Sequence, residues 1–174
     1  MLEKKIENII SDLAQLCTAS NKQIAIAESC TGGLVAKLIT DCAGSSQWFE
    51  RGFVTYSNLA KEQMLGVDQQ LINDCGVVSE SVAEAMVRGV LQYSAAHYAL
   101  SITGIAGPGG GSKIKPVGMV CFAWAYYSSS DDSDSKNIKC ISKTQYFSGD
   151  RQAVRTQSAF FSLQALSQLI SESS

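Results

Sequence analysis

Ile24-Ala25-Ile26-Ala27-Glu28-Ser29-Cys30-Thr31-Gly32-Gly33 is a short apolar run that stops on polar residues and two glycines. A helical pattern follows at Leu34, Val35, Leu38 and Ile39. The stretch reads as a buried strand, a tight turn and a helix N-terminus, the opening unit of an α/β fold. A hydroxyl on such a turn sits beside unpaired backbone N–H groups that can hold an anion or a developing oxyanion, and the glycines let a ligand come close to the backbone. Ser29 and Thr31 each have two readings there, as a helix cap or as a reactive hydroxyl. The two are compatible if Thr31 caps the helix and leaves Ser29 presented.

Upstream, Leu2, Ile6, Ile9, Ile10, Leu13, Leu16 and Cys17 recur at helical spacing and predict a helix over 2–19. Downstream, the helix after the turn runs to about Asp41, and Ala43-Gly44-Ser45-Ser46 breaks it. Phe49 to Tyr56 reads as a second strand. Ser57 or Asn58 caps a short helix that Gly66 stops, and Asp68 starts another that ends before Gly76. Ser81-Val82-Ala83-Glu84 has capping-box spacing, within a helix expected over 80–95. Tyr98 to Ile102 is a third strand, Val117 to Tyr127 and Ile138 to Phe147 form a strand pair, and a last helix starts near Asp150. The acidic, serine-rich stretch 128–136 cannot bury apolar area and is expected to be a flexible insertion. Strands alternating with helices, then a late hairpin, predict a single-domain, three-layer α/β/α sandwich with a mostly parallel mixed sheet of about five strands. The two terminal helices are expected to cover its faces.

Composition narrows the function. A chain of 174 residues, 45% hydrophobic, is long enough to bury a core. A net charge of -2 provides no broad basic surface, so nucleic acid is not an expected partner. The longest apolar run, Val117 to Tyr127, is too short to span a bilayer, and no signal peptide is read at the N-terminus, so neither a membrane nor export is expected. The six scattered cysteines contain no CxxC pair and there is one histidine, so no metal site is expected; the thiols suit a reduced, cytoplasmic setting.

The chemistry is expected at the strand ends. Ser29, Tyr56 and Thr103 follow the first three strands, and Lys61 lies five residues after Tyr56. If those strands are parallel, their carboxyl ends share the edge where open α/β sheets bind ligands. Acyl transfer needs a nucleophile, a base and N–H donors for the oxyanion. With His97 at the start of its strand, a lysine is the remaining base, as in Ser–Lys pairs. An ordinary lysine has a pKa of about 10.4; burial and a helix N-terminus would both lower that of Lys61. Tyr56 would then relay a proton or hold the lysine. Each residue also has an ordinary reading, as an exposed lysine, a half-buried aromatic and a turn hydroxyl. Cys30 is a rival nucleophile, although a buried thiol behind the turn is the simpler reading. Gly107-Pro108-Gly109-Gly110-Gly111 with Lys113 and Lys115 has the composition of a phosphate-holding loop but is no P-loop, and Arg151 or Arg155 could reach a phosphate or a carbonyl.

Six blocks in order carry a resemblance: Ala27–Gly33, Gly44–Ser46, Gly52–Asn58 with Lys61, Thr103–Gly110, Lys115–Gly118 and Phe147–Arg151. Together they resemble the nicotinamide mononucleotide amidohydrolase family, also called PncC or the CinA C-terminal domain family, over about residues 22–168, in its stand-alone form. The resemblance implies an α/β/α fold and hydrolysis of the carboxamide of nicotinamide mononucleotide to nicotinate mononucleotide and ammonia, in pyridine nucleotide recycling, with no cofactor. It implies Ser29 as nucleophile, Lys61 as base and Tyr56 as a supporting group, and it places Thr103 and Arg151 in the site. Thr31, Gly32, Gly33, Gly104 and Gly107 join them as expected substrate-binding positions on the two glycine-bearing turns. A small-molecule nucleotide is the expected ligand and a homodimer the default assembly. A non-catalytic nucleotide-binding module and a thiol hydrolase using Cys30 are the alternatives.

Overall fold

The computed structural model describes residues 1–128 and 137–173. Helix α1 (Leu2–Ser20) leads into strand β1 (Ile24–Glu28) and helix α2 (Leu34–Thr40). After a 3-10 turn at Ser45–Gln47 come β2 (Phe49–Val54), α3 (Asn58–Leu65), α4 (Gln69–Cys75) and α5 (Glu80–Gln92). β3 (Tyr98–Gly104), β4 (Met119–Ser128), β5 (Asn137–Tyr146) and α6 (Arg151–Ser173) complete the chain. The sheet order is β2-β1-β3-β4-β5. β1 pairs in parallel with β2 and β3, and β4 runs antiparallel to β3 and β5, so four of the five strands point one way. This is the expected three-layer α/β/α sandwich with a mixed, mostly parallel sheet.

Alternation along the strands sorts the two faces. Ile24, Ile26, Leu100, Ile102, Phe122 and Trp124 point to a core shared with α1, α2 and α6. The residues between them, Ala25, Ala27, Ala99, Cys121, Ala123 and Ala125, point to the other face, against α5 and the α3–α4 pair. Both terminal helices therefore lie on one face, contrary to the expectation that they divide the faces between them. The bulky strand side chains need the wide cover of three helices, whereas the alanine face lets α5 approach closely. Ser101 Oγ reaches Ala83 O of α5 at 2.6 Å. Gly89 serves the same close packing, since a Cβ there would lie 2.1 Å from Leu65 O.

Several helix starts are those expected: Ser57 Oγ accepts from Ala60 N–H and Asp68 caps α4. For α5 the cap is Ser79, whose Oγ accepts from Val82 N–H, and Ser81 lies within the helix. The expected capping box thus sits two residues too late; Ser79 has the extended backbone a cap requires. The expected insertion at 128–136 lies outside the described residues, save Ser128, which ends β4. Among the described residues no helix is long and apolar enough to cross a membrane.

Candidate active site

The chain leaves β1 for β2 on one side and later returns to β3 on the other. The carboxyl ends of β1 and β3 therefore flank a topological switch point, where open α/β sheets bind ligands. Ser29 sits there. Its N–H extends the ladder to Ile102 O at 3.0 Å, and Thr55 N–H bonds Glu28 O at 2.8 Å, so the turn is fixed by both neighbouring strands. Gly32 N–H closes the turn on Ser29 O at 3.0 Å, with Gly32 and Gly33 at positive φ.

The helix after the turn is capped by Glu28, not by Thr31 as expected. The Glu28 carboxylate, 1% exposed, accepts from Gly33 N–H at 3.1 Å, Val35 N–H at 3.1 Å and Ala36 N–H at 2.8 Å. Thr31 is fully buried, and its hydroxyl has no hydrogen-bond partner among the described residues. A carboxylate can serve three orphan amides, whereas a hydroxyl serves one, and the negative charge suits the helix N-terminus. Neither the Cys30 nor the Thr31 N–H enters the turn's backbone bonds or the Glu28 cap. Replacing Glu28 by glutamine puts an NH2 where an amide N–H must be accepted. We expect a loss of about 2–3 kcal/mol, or a Tm lower by about 6–10 °C, by thermal unfolding.

Lys61 lies in the first turns of α3 with its side chain 1% exposed. Its Nζ donates to Ser29 Oγ at 3.0 Å and to Thr55 O at 2.9 Å. Burial lowers its pKa from 10.5 to about 8, only partly opposed by the nearby Cys30. The same burial pushes the Cys30 thiol up to about 12, so Cys30 is a neutral thiol at physiological pH and a poor nucleophile. Of the three buried side-chain polar atoms without a partner among the described residues, Thr31 Oγ1 and Thr55 Oγ1 belong to the two segments that carry Ser29 and hold Lys61. The third, Arg155 Nε, belongs to a guanidinium whose Nη2 donates to Thr31 O at 2.7 Å.

A cavity of about 300 Å³ opens over Ser29 and Lys61. Cys30, Tyr56, Thr103, Gly104, Gly107 and Arg151 line it as well, so most of the expected site residues meet in one place. Thr31, Gly32 and Gly33 do not: they form the turn beneath the serine and the start of the helix. Tyr56 stands at the rim, 62% exposed, and its hydroxyl accepts from Arg151 Nη2 at 2.9 Å. The lysine is thus tethered by the Thr55 carbonyl and the tyrosine by Arg151, whose Nη1 also donates to Gly107 O at 2.7 Å. Thr103 Oγ1 donates to Val77 O at 2.9 Å and so fixes the opposite wall. A wider groove between α1 and α6, lined by Ile9, Leu16 and Gln164 among others, contains no hydroxyl paired with a buried amine. Glu28 and the Thr55 carbonyl are the site groups that sequence reasoning missed. An acid ending an otherwise apolar strand, just before a helix whose N-cap is Gly33, was the available signal for Glu28.

These features define a three-layer α/β/α protein with a serine–lysine pair at the carboxyl edge of its sheet. The chain belongs to the CinA C-terminal domain family, which it matches over residues 6–170. It is 48% identical over 166 residues to the nicotinamide-nucleotide amidohydrolase PncC of Escherichia coli strain K12, covering 95% of each chain. It is 44% identical over 167 residues to the protein of the same name from Pseudomonas putida, covering 96% of this chain and 98% of that one. Among solved structures, the competence/damage inducible protein CihA of Agrobacterium tumefaciens superposes with a TM-score of 0.85 at 38% identity, over 95% of both chains.

Proposed function

We propose that this protein is a serine amidase that hydrolyses the carboxamide of nicotinamide mononucleotide to nicotinate mononucleotide and ammonia, in pyridine nucleotide recycling. The observation that carries this reading is the 3.0 Å contact between Ser29 Oγ and the buried Lys61 amine. The near full-length likeness to relatives named nicotinamide-nucleotide amidohydrolase supplies the substrate. Neutral Lys61 takes the Ser29 proton as Oγ attacks the amide carbon, and the N–H groups of Cys30 and Thr31, or of Gly104, receive the oxyanion. Lys61 returns the proton to the leaving nitrogen, ammonia departs, and a water activated by the same amine cleaves the ester. In this reading Arg151 and Tyr56 at the rim meet the phosphoribosyl part, which their mutual hydrogen bond and exposure support, and the reaction calls on no cofactor. A cytoplasmic setting belongs to this reading and is supported by six cysteines that are all free thiols.

The base works only when neutral. With its pKa at about 8, Lys61 carries a proton in about nine-tenths of molecules at pH 7. We expect kcat/KM to rise about tenfold per pH unit on the acid side and level off above about pH 8, in a profile taken from pH 6 to 10. A profile flat across that range would remove Lys61 as the base. The function itself is tested by incubating the purified protein with nicotinamide mononucleotide and a chelator. Equimolar ammonia and nicotinate mononucleotide are expected; saturable binding without turnover would make the protein a nucleotide-binding module instead.

A further inference from the structure

Lys115 stands in a glycine-rich segment whose composition suits a phosphate, yet its amine is committed elsewhere. Its Nζ donates to Cys75 O at 2.8 Å and to Val78 O at 2.7 Å, one carbonyl at the end of α4 and one within the connection to α5. Cys75 is the last residue of α4, so the ammonium also meets the negative end of that helix. Ser112 holds the lysine's backbone: Lys115 N–H donates to Ser112 Oγ at 3.0 Å, and Ser112 N–H to Lys115 O at 2.8 Å. The base of the segment is closed by Ile105 N–H on Met119 O at 2.9 Å and Gly118 N–H on Ile105 O at 2.8 Å. Gly76 makes the approach possible, since a Cβ there would lie 2.5 Å from Lys115 Nζ.

The α4–α5 connection is also a wall of the cavity, through Val77 and Val78. Thr103 ties that wall to the end of β3 through Val77 O, and Lys115 ties it to the far end of the glycine-rich segment. Arg151 holds the near part of the segment at Gly107 O. Lys115 itself does not line the cavity, and its amine is already bound at short range by two carbonyls on the far side of the wall.

We propose that Lys115 is a positioning residue that clamps the Val77–Val78 wall to the glycine-rich segment, sets the width of the cavity, and does not ligate the substrate's phosphate. This rests on the nucleotide-amidase reading above. The test is steady-state kinetics of Lys115→Met and Lys115→Arg with nicotinamide mononucleotide, and with nicotinamide riboside, which lacks the phosphate, as substrate or competitive inhibitor. Lys115→Met should raise KM for the nucleotide about tenfold and weaken the riboside by the same factor, with kcat changed less than about threefold. Lys115→Arg, whose guanidinium can reach the same two carbonyls, should recover most of the loss. Amide hydrogen exchange in residues 76–79 and 105–112 should quicken in Lys115→Met and slow again in Lys115→Arg. Unchanged KM in Lys115→Met, or unchanged exchange, would overturn the proposal. So would a loss confined to the phosphorylated ligand, which would make Lys115 a phosphate ligand. If the wild type releases no ammonia from nicotinamide mononucleotide, the reaction is wrong, while the exchange measurement still judges the clamp.

Discussion

Ser29→Ala should lower ammonia release from nicotinamide mononucleotide by about 10⁴-fold or more, the scale seen when a catalytic nucleophile is removed. The change deletes one atom from a residue 8% exposed, and that atom's hydrogen-bond partner in the structure is Lys61 Nζ. The turn itself is held by backbone bonds to Ile102 O and by the Glu28 cap, both of which persist in the variant. Folding should therefore survive, and binding measured by calorimetry should stay within about threefold of wild type, because uniform binding does not depend on the nucleophile. Cys30→Ala should keep substantial activity in the same assay, because a thiol pushed up to about 12 supplies almost no thiolate.

Lys61→Met carries the second large effect, and it has opposite signs on activity and stability. Activity should fall by about 10³-fold or more, since no other amine lies within hydrogen-bonding reach of Ser29 Oγ among the described residues. Stability at pH 7 should rise. The folded-state pKa of about 8 lies below the unfolded value of 10.5, so the unfolded chain binds more protons between those values. The native state is therefore penalised in full below about pH 8, by about 3 kcal/mol, and the penalty is relieved as pH rises towards 10.5. Losing the hydrogen bonds to Ser29 and Thr55 offsets part of that gain, leaving a net stabilisation of about 1–2 kcal/mol. Denaturant unfolding should show Lys61→Met more stable than wild type at pH 7 and the difference shrinking by pH 10. A variant less stable at every pH would mean that the buried amine is structural rather than functional.

The fold was largely legible because most boundaries carry a local signal, the starts of α2 and α5 excepted. Gly66, Ser57 and Asp68 cap as their chemistry requires, and the polar residues Ser29 after β1, Tyr56 after β2 and Thr103 in β3 marked the edge where the cavity lies. Placing both terminal helices on one face needed the alternation in Ile24-Ala25-Ile26-Ala27 to be read as two surfaces of different bulk, not as one apolar run. Ser29, Lys61 and burial as the cause of the lysine's lowered pKa could be named from the sequence, whereas the packing that buries the side chain could not. Its burial depends on how α3 packs against α5 and α4, and the expected help from a helix N-terminus is not needed to account for the shift. The commitments of Arg151, Arg155 and Lys115 were out of reach for a similar reason. Each donates to a carbonyl of a segment distant in sequence, at Gly107, Thr31 and Val78 respectively, and a lone cation gives no hint of which carbonyl it will find. Thr31 misled because its hydroxyl fits a cap by type, while Glu28, three residues earlier, could satisfy three amides at once.

The central claim is that Ser29 becomes acylated. Quenching the enzyme in acid during turnover of nicotinamide mononucleotide, then mapping the adduct by peptide mass spectrometry, tests it most directly. The account predicts nicotinate mononucleotide joined as an ester to Ser29. An adduct on Cys30 with Ser29 unmodified would contradict it.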